Sequence, residues 1–143
     1  MSTLKIDLSV ADVMMPIKDA PVAPGTAILK EILELMGKFR LGVVCITDRS
    51  GHLEGVFTDG DVRRLLLKEQ KPFAALFNDD ISVHITRKCT TITPESKLTE
   101  AVNIMGDKRI WDLPVVRTDG VLVGLLHLHP AVKTLLGLGS QVE

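Results

Sequence analysis

The sequence predicts a mixed α/β fold of the α+β kind: two tandem β-α-β-β-α repeats packed with pseudo-twofold symmetry. Three observations predict it. Gly55 and Gly124, Met36 and Met105, Arg40 and Arg109, and Glu31 and Glu100 are each 69 positions apart, so the chain repeats itself at a fixed offset. Each half carries one apolar stripe at helical spacing, Leu29, Ile32, Leu33 and Met36 and then Leu98, Ala101, Val102 and Met105. Each stripe is followed by two short apolar runs separated by a turn that contains Asp and Gly. A unit of this size cannot bury a sheet face alone, so the two are expected to pack sheet against sheet.

Taken in order, residues 1–9 read as a lead-in, and residues 10–15 as one or two helical turns closed by Pro16. Pro21 and Pro24 bracket a brief extended piece around Val22, because the residue before a proline is driven toward extended geometry. The first stripe, continued by Phe39, predicts a helix with Lys30, Glu31, Glu34 and Lys38 on its other faces. Residues 41–47 form a buried strand, residues 48–51 a turn, and residues 53–57 a second strand, together a hairpin. A helix with Val62, Leu65 and Leu66 on its apolar side completes a first repeat over residues 10–68. Residues 69–80 are a connector, packed through Phe73, Leu76 and Phe77. A second repeat spans residues 81–137, with strands at 113–116 and 121–126 and a closing helix over 131–136, before a tail over 138–143. The offset grows to 70 between Pro24 and Pro94, so the first half holds one extra residue.

Composition narrows the function. The chain has 143 residues, 45% hydrophobic and 24% charged, the balance of an ordinary globular protein. A net charge of −1 with scattered Lys and Arg gives no electrostatic footprint for nucleic acid. Four Phe, one Trp and no Tyr make base stacking on aromatic platforms an improbable mode of binding. No apolar run approaches the roughly 18 residues a bilayer requires, and no secretory leader is evident, so a cytoplasmic protein without membrane partners is expected. Cys45 reads as a small buried hydrophobe, and neither cysteine has metal-ligand spacing around it.

The polar chemistry concentrates in one stretch, residues 55–64, where a strand runs through Thr58 into the acidic turn Asp59, Gly60 and Asp61 and then a helix that includes Arg63 and Arg64. Amides in the first turn of a helix have no partner inside it and suit a phosphate, and a carboxylate accepts from two sugar hydroxyls at once. The plainer alternative makes Thr58 an N-cap, sets Asp59 and Asp61 against the helix dipole, and pairs Asp61 with Arg64 at i, i+3. No nucleophile elbow, phosphate loop or paired acid and base is present, so no catalytic residue and no metal site are assigned.

With its proline-led openings (Val22-Ala23-Pro24 and Ile92-Thr93-Pro94), Met-ending helices, the strand Leu113-Pro114-Val115-Val116 and a Gly-x-x-Thr-x-x-Asp close, the chain resembles a CBS domain pair, or Bateman module, over nearly its whole length. Residues 56–64 and 124–129 are more narrowly similar to the C-terminal CBS pair of arabinose-5-phosphate isomerases, enzymes of Kdo and lipopolysaccharide biosynthesis. The sugar isomerase domain of that family is not in this sequence, so a regulatory, non-catalytic fragment of a longer isomerase is expected. The resemblance implies that Thr58 and Asp61, with Asp59 and Gly60 beside them, hold the ribose and phosphate side of a nucleotide. It also implies that Val22, Gly42 and Val43 offer backbone to the base.

In the second repeat His127 stands in place of Thr and Pro130 in place of Asp, which predicts one main ligand per chain. His127 and His129, two apart on a strand, are expected to project to one side and approach the cleft near Asp61. A hydrogen-bonded structural pair and a metal site are the alternatives. Arg109, matched by Arg40, is a candidate for neutralising a phosphate or sugar carboxylate. The expected ligand is CMP-Kdo, the alternatives being an adenine nucleotide, S-adenosylmethionine, or no ligand in a structural dimerisation module. No cofactor is expected, and self-association as a CBS dimer is.

Overall fold

The computed structural model describes residues 8–137. Most of the expected lead-in and all of the expected tail lie outside them. The chain divides into two compact units, residues 21–89 and residues 8–20 together with 90–137.

The first unit is built on a three-stranded sheet. Strand β2 (Val22–Pro24) runs parallel to β3 (Val43–Thr47), which pairs antiparallel with β4 (Leu53–Thr58), in the order β2-β3-β4. Helix α1 (Leu29–Phe39) is the crossover between the parallel strands, and it covers the bounds its apolar stripe predicts. Leu29, Ile32 and Met36 are buried, joining Val44, Ile46, Phe57, Leu76 and Ile81 in one core. The hairpin turn is tied by Asp48, whose carboxylate accepts from the amides of Ser50 and His52, both at 2.9 Å. Those amides and the His52 ring hold the Asp48 carboxyl below the usual carboxylate range. Every residue from Val43 to Ile46, Cys45 included, is buried, as a continuous apolar run requires.

Helix α2 (Asp59–Lys68) follows β4 directly, and α3 (Phe73–Phe77) packs the connector through buried Leu76. The sequence places Leu66 on the buried side of α2. It is instead 48% exposed, because Asp61 and Leu65, at i and i+4, form the inward line.

The second unit repeats this plan with α4 (Leu98–Lys108), β5 (Asp112–Val116), β6 (Leu122–His127) and α5 (Leu128–Leu135). Its third strand is β1 (Met15–Pro16), paired antiparallel to β6 in the order β1-β6-β5. The helical turns expected before Pro16 are therefore only a 3-10 turn, Val10–Asp12, with the Asp12 carboxylate accepting from the Ser9 amide at 2.9 Å, and then a strand. Val10 is fully buried in this unit's core, and its amide donates to the Ser96 carbonyl at 2.8 Å.

The exchange is reciprocal. The opening residues of the first repeat, up to Pro16, complete the second unit's sheet, and the opening residues of the second repeat, around Thr86, lie along β4 of the first. Val56 and Thr86 donate amide hydrogens to each other's carbonyls at 3.0 and 2.9 Å. The matched glycines make both contacts possible. A Cβ on Gly55 would lie 2.6 Å from the Thr86 carbonyl oxygen, and one on Gly124 would lie 2.6 Å from that of Met15.

Candidate functional site

The first unit gathers seven of the ten candidate residues at one end of its sheet. Val43 lies opposite Thr58 across β3 and β4, and Val22 pairs with Cys45, two residues along β3. The Asp59 amide donates to the Gly42 carbonyl at 3.0 Å. A Cβ on Gly42 would collide with the Asp59 carboxylate as it lies, so the two residues are in close contact at the mouth of the strand.

Thr58 is the N-cap of α2. It has extended backbone, and its hydroxyl accepts from the Asp61 amide at 3.2 Å. Asp61 closes a capping box: its Oδ2 accepts from the Thr58 amide at 2.9 Å and from the Thr58 hydroxyl at 3.1 Å. Its Oδ1 accepts from Arg64 Nη2 at 2.7 Å and from the Thr86 hydroxyl at 3.1 Å. Asp61 is only 8% exposed, the one buried charged residue among those described. Such burial is tolerable because all of its acceptor positions are filled, one by a guanidinium.

The plainer sequence alternative, cap plus ion pair, is therefore what the geometry contains. It is also what a hydroxyl-rich ligand would meet: a preformed carboxylate at a helix start, with a cation beside it. Two first-turn amides, those of Asp59 and Asp61, are already used within the protein. The Arg64 guanidinium lies across Gly60, where a Cβ would come within 3.2 Å of Nη1 and Nη2. Val22 also lines a groove of about 540 Å³ between β2 and α1, together with Glu31, Glu34 and Lys38. Neither Thr58 nor Asp61 lines that groove.

The second unit departs from expectation at its histidines. The strand β6 ends at His127, the N-cap of α5, and His129 lies in the first turn of that helix, so the two do not share a strand face. Pro130 permits this because the missing N–H falls in the first turn, where no intrahelical bond is lost. The Leu128 amide donates to the Trp111 carbonyl at 2.8 Å, repeating the Asp59–Gly42 bond. His127 Nδ1 is 2.8 Å from Asp112 Oδ1, the structural pairing that the sequence left open as an alternative, although with an acid and not with His129. His129 is exposed. Arg109 is also exposed and ends α4 in the left-handed conformation (φ 55°), as Arg40 ends α1 (φ 55°). Both arginines therefore sit where a chain reversal needs positive φ, a position more often filled by glycine or asparagine.

Sequence reasoning missed two participants. Thr86 reaches Asp61 from 25 positions away, and only the strand exchange brings it there. Asp112 was hidden at the opening of an apolar strand, yet the 69-residue offset makes it the counterpart of Val43, and it pairs with His127 as Val43 pairs with Thr58. Among the described residues no group of three or more His, Cys, Asp or Glu side chains is arranged to hold a metal, and no helix is long and apolar enough to cross a membrane.

Comparisons with known proteins agree with this architecture. A family model for the CBS domain matches residues 10–68 and 79–129. The arabinose 5-phosphate isomerase KdsD of Pseudomonas aeruginosa is 34% identical over 127 residues, covering 88% of this chain and 37% of the relative. GutQ of Escherichia coli K12, also named an arabinose 5-phosphate isomerase, is 31% identical over 108 residues, 76% of this chain and 32% of its own length. The chain thus spans about a third of the length of these relatives. Among solved structures, CBSX2 in complex with AMP superimposes with a TM-score of 0.79 at 24% identity, over 92% of this chain and 98% of that one. The CBS domain pair of MJ0100, in complex with 5′-methylthioadenosine and S-adenosylmethionine, does so at 0.75 and 19%, over 94% and 98%. Likeness at these identities shows the fold.

Proposed function

The chain belongs to the CBS domain family, and from that premise we propose that it is a regulatory, nucleotide-binding module rather than a catalytic one. One observation carries the reading: the buried Asp61 carboxylate stands at the start of α2, aligned by the Thr58 capping box. In this reading Asp61 accepts a ribose hydroxyl. Thr58 holds that carboxylate in place, the Gly60 amide and the Arg64 guanidinium face a phosphate, with Asp59 at the rim, and the base lies against the backbone of Val22, Gly42 and Val43. The similarity to KdsD and GutQ supports an attached sugar isomerase as the controlled partner, in a protein of Kdo and lipopolysaccharide biosynthesis. The product-derived nucleotide sugar CMP-Kdo is then the ligand that feedback logic favours.

A second reading, an adenine-nucleotide or S-adenosylmethionine sensor, is supported by the ligands named for two solved neighbours, all of which share adenosine. A third, a ligand-free dimerisation module, is favoured by His127 and Pro130 at the second repeat's matching positions and by Leu67, 81% exposed near the end of α2. A thermal-shift panel with CMP-Kdo, CMP, AMP, ATP and S-adenosylmethionine separates the three. A ligand at 100 times its Kd adds about 2.7 kcal/mol of stability. A shift with CMP-Kdo alone supports the first reading and a shift with the adenosine compounds the second, while no shift with any compound leaves only the third.

A further inference from the structure

Asp61 has no spare acceptor position, and the four donors around it are not equivalent. The two on Oδ2 come from Thr58: its amide, whose bond is half of the capping box and cannot leave without undoing the start of α2, and its hydroxyl, which is held there because it also accepts from the Asp61 amide. The two on Oδ1 come from Arg64 and Thr86, both exposed. The Arg64 bond, at 2.7 Å, joins two charges, whereas the Thr86 bond, at 3.1 Å, comes from a neutral hydroxyl and is the weaker of the pair. A sugar hydroxyl arriving at Asp61 has the same chemistry as the Thr86 hydroxyl and requires the same oxygen.

We infer that the Thr86 hydroxyl is an internal competitor, which a ligand hydroxyl must displace from Asp61 Oδ1. The inference rests on the reading of Asp61 as the ligand site. Thr86 is held in place independently of its side chain, by the paired backbone bonds to Val56 at 3.0 and 2.9 Å. It belongs to the opening of the second repeat, which packs within the first unit, so the affinity of the site is set in part by the chain that leads into the second unit. Displacement costs one hydrogen bond to a carboxylate and returns one to the ligand. Removing the competitor therefore tightens binding.

Thr86→Val keeps the β-branched shape and the backbone pairing but deletes the hydroxyl, and Thr86→Ser restores it. Calorimetric titration of AMP and of CMP-Kdo into wild type and both variants tests the inference. Thr86→Val is expected to bind about three- to tenfold more tightly, the effect of a hydrogen bond worth about 1 kcal/mol, with Thr86→Ser near wild type. Binding by Thr86→Val where wild type shows none also supports the competitor. Unchanged or weaker binding by Thr86→Val, with wild type binding normally, overturns it and leaves the Asp61 site standing. If neither nucleotide binds any of the three proteins, the site reading falls and the competitor with it.

Discussion

Replacing Gly55 with alanine tests the strand exchange from which the site is built. The new Cβ would lie 2.6 Å from the Thr86 carbonyl oxygen, 3.1 Å from Ile85 Cδ1 and 3.2 Å from the Thr86 carbonyl carbon. Ordinary contact begins at 3.4 Å, so the crossing strand must retreat by roughly 0.8 Å, and backbone cannot rotate aside as a flexible side chain can. The two Val56–Thr86 bonds, now 3.0 and 2.9 Å, would then stretch beyond hydrogen-bonding range. Their loss costs about 2 kcal/mol, at about 1 kcal/mol each. Residual crowding adds about 1 kcal/mol, and the stiffer unfolded chain returns about 0.4–1 kcal/mol. The net expectation is a destabilisation of about 2 kcal/mol, with the same outcome for Gly124→Ala against Met15. Gly37 and Gly106, within α1 and α4, have no atom within 4 Å of a new Cβ, and alanine there is expected to stabilise by about 0.5–1 kcal/mol. Equilibrium urea unfolding followed by far-ultraviolet circular dichroism measures all four, as shifts in midpoint at constant slope. A Gly55→Ala protein as stable as wild type would show that the segment around Thr86 does not lie on β4.

Asp61→Ala is expected to destabilise by about 2–3 kcal/mol by denaturant titration, since it strips the capping box and leaves the half-buried Thr58 amide without its acceptor. Asp59→Ala, at an exposed position, should cost less than about 1 kcal/mol. Acid dependence should trace partly to Asp79, whose carboxyl is held below its usual range by hydrogen bonds from His84 and Lys71. A depressed carboxylate contributes stability that is present above its unfolded pKa, about 3.9, and lost as pH falls through its lower folded value. Asp79→Asn should therefore lower stability at pH 7 and flatten the acid limb below about pH 4 in denaturant titrations run from pH 3 to 7. An unchanged acid limb would remove Asp79 from the account.

The elements whose partners are close in sequence were legible from residue pattern alone. The stripe from Leu29 to Phe39 set the bounds of α1, and Asp48 to Gly51 announced the hairpin, because helical periodicity and turn chemistry are local properties. Thr58 with Asp61 three residues later was equally legible as a capping box. What escaped was non-local or contradicted a local prior. Met15–Pro16 is two residues long and finds its partner, β6, more than a hundred positions away. Thr86 reaches Asp61 through the same kind of exchange. With the closing helix expected over residues 131–136, His129 was placed on the strand before it, whereas α5 begins at Leu128 and takes Pro130 into its first turn, where proline is tolerated. The 69-residue offset, which makes His129 the counterpart of Gly60 in α2, carried the signal that would have corrected it.

Ligand stoichiometry bears most directly on the central claim that Asp61 marks the site and that the second repeat, with His127 and Pro130, lacks its equivalent. Titration calorimetry of wild type and Asp61→Ala, with CMP-Kdo and with AMP and each protein at a temperature where it is folded, reads it. One nucleotide bound per chain in wild type and none in Asp61→Ala is the predicted result. Two nucleotides per chain, or binding that survives in Asp61→Ala, would contradict it.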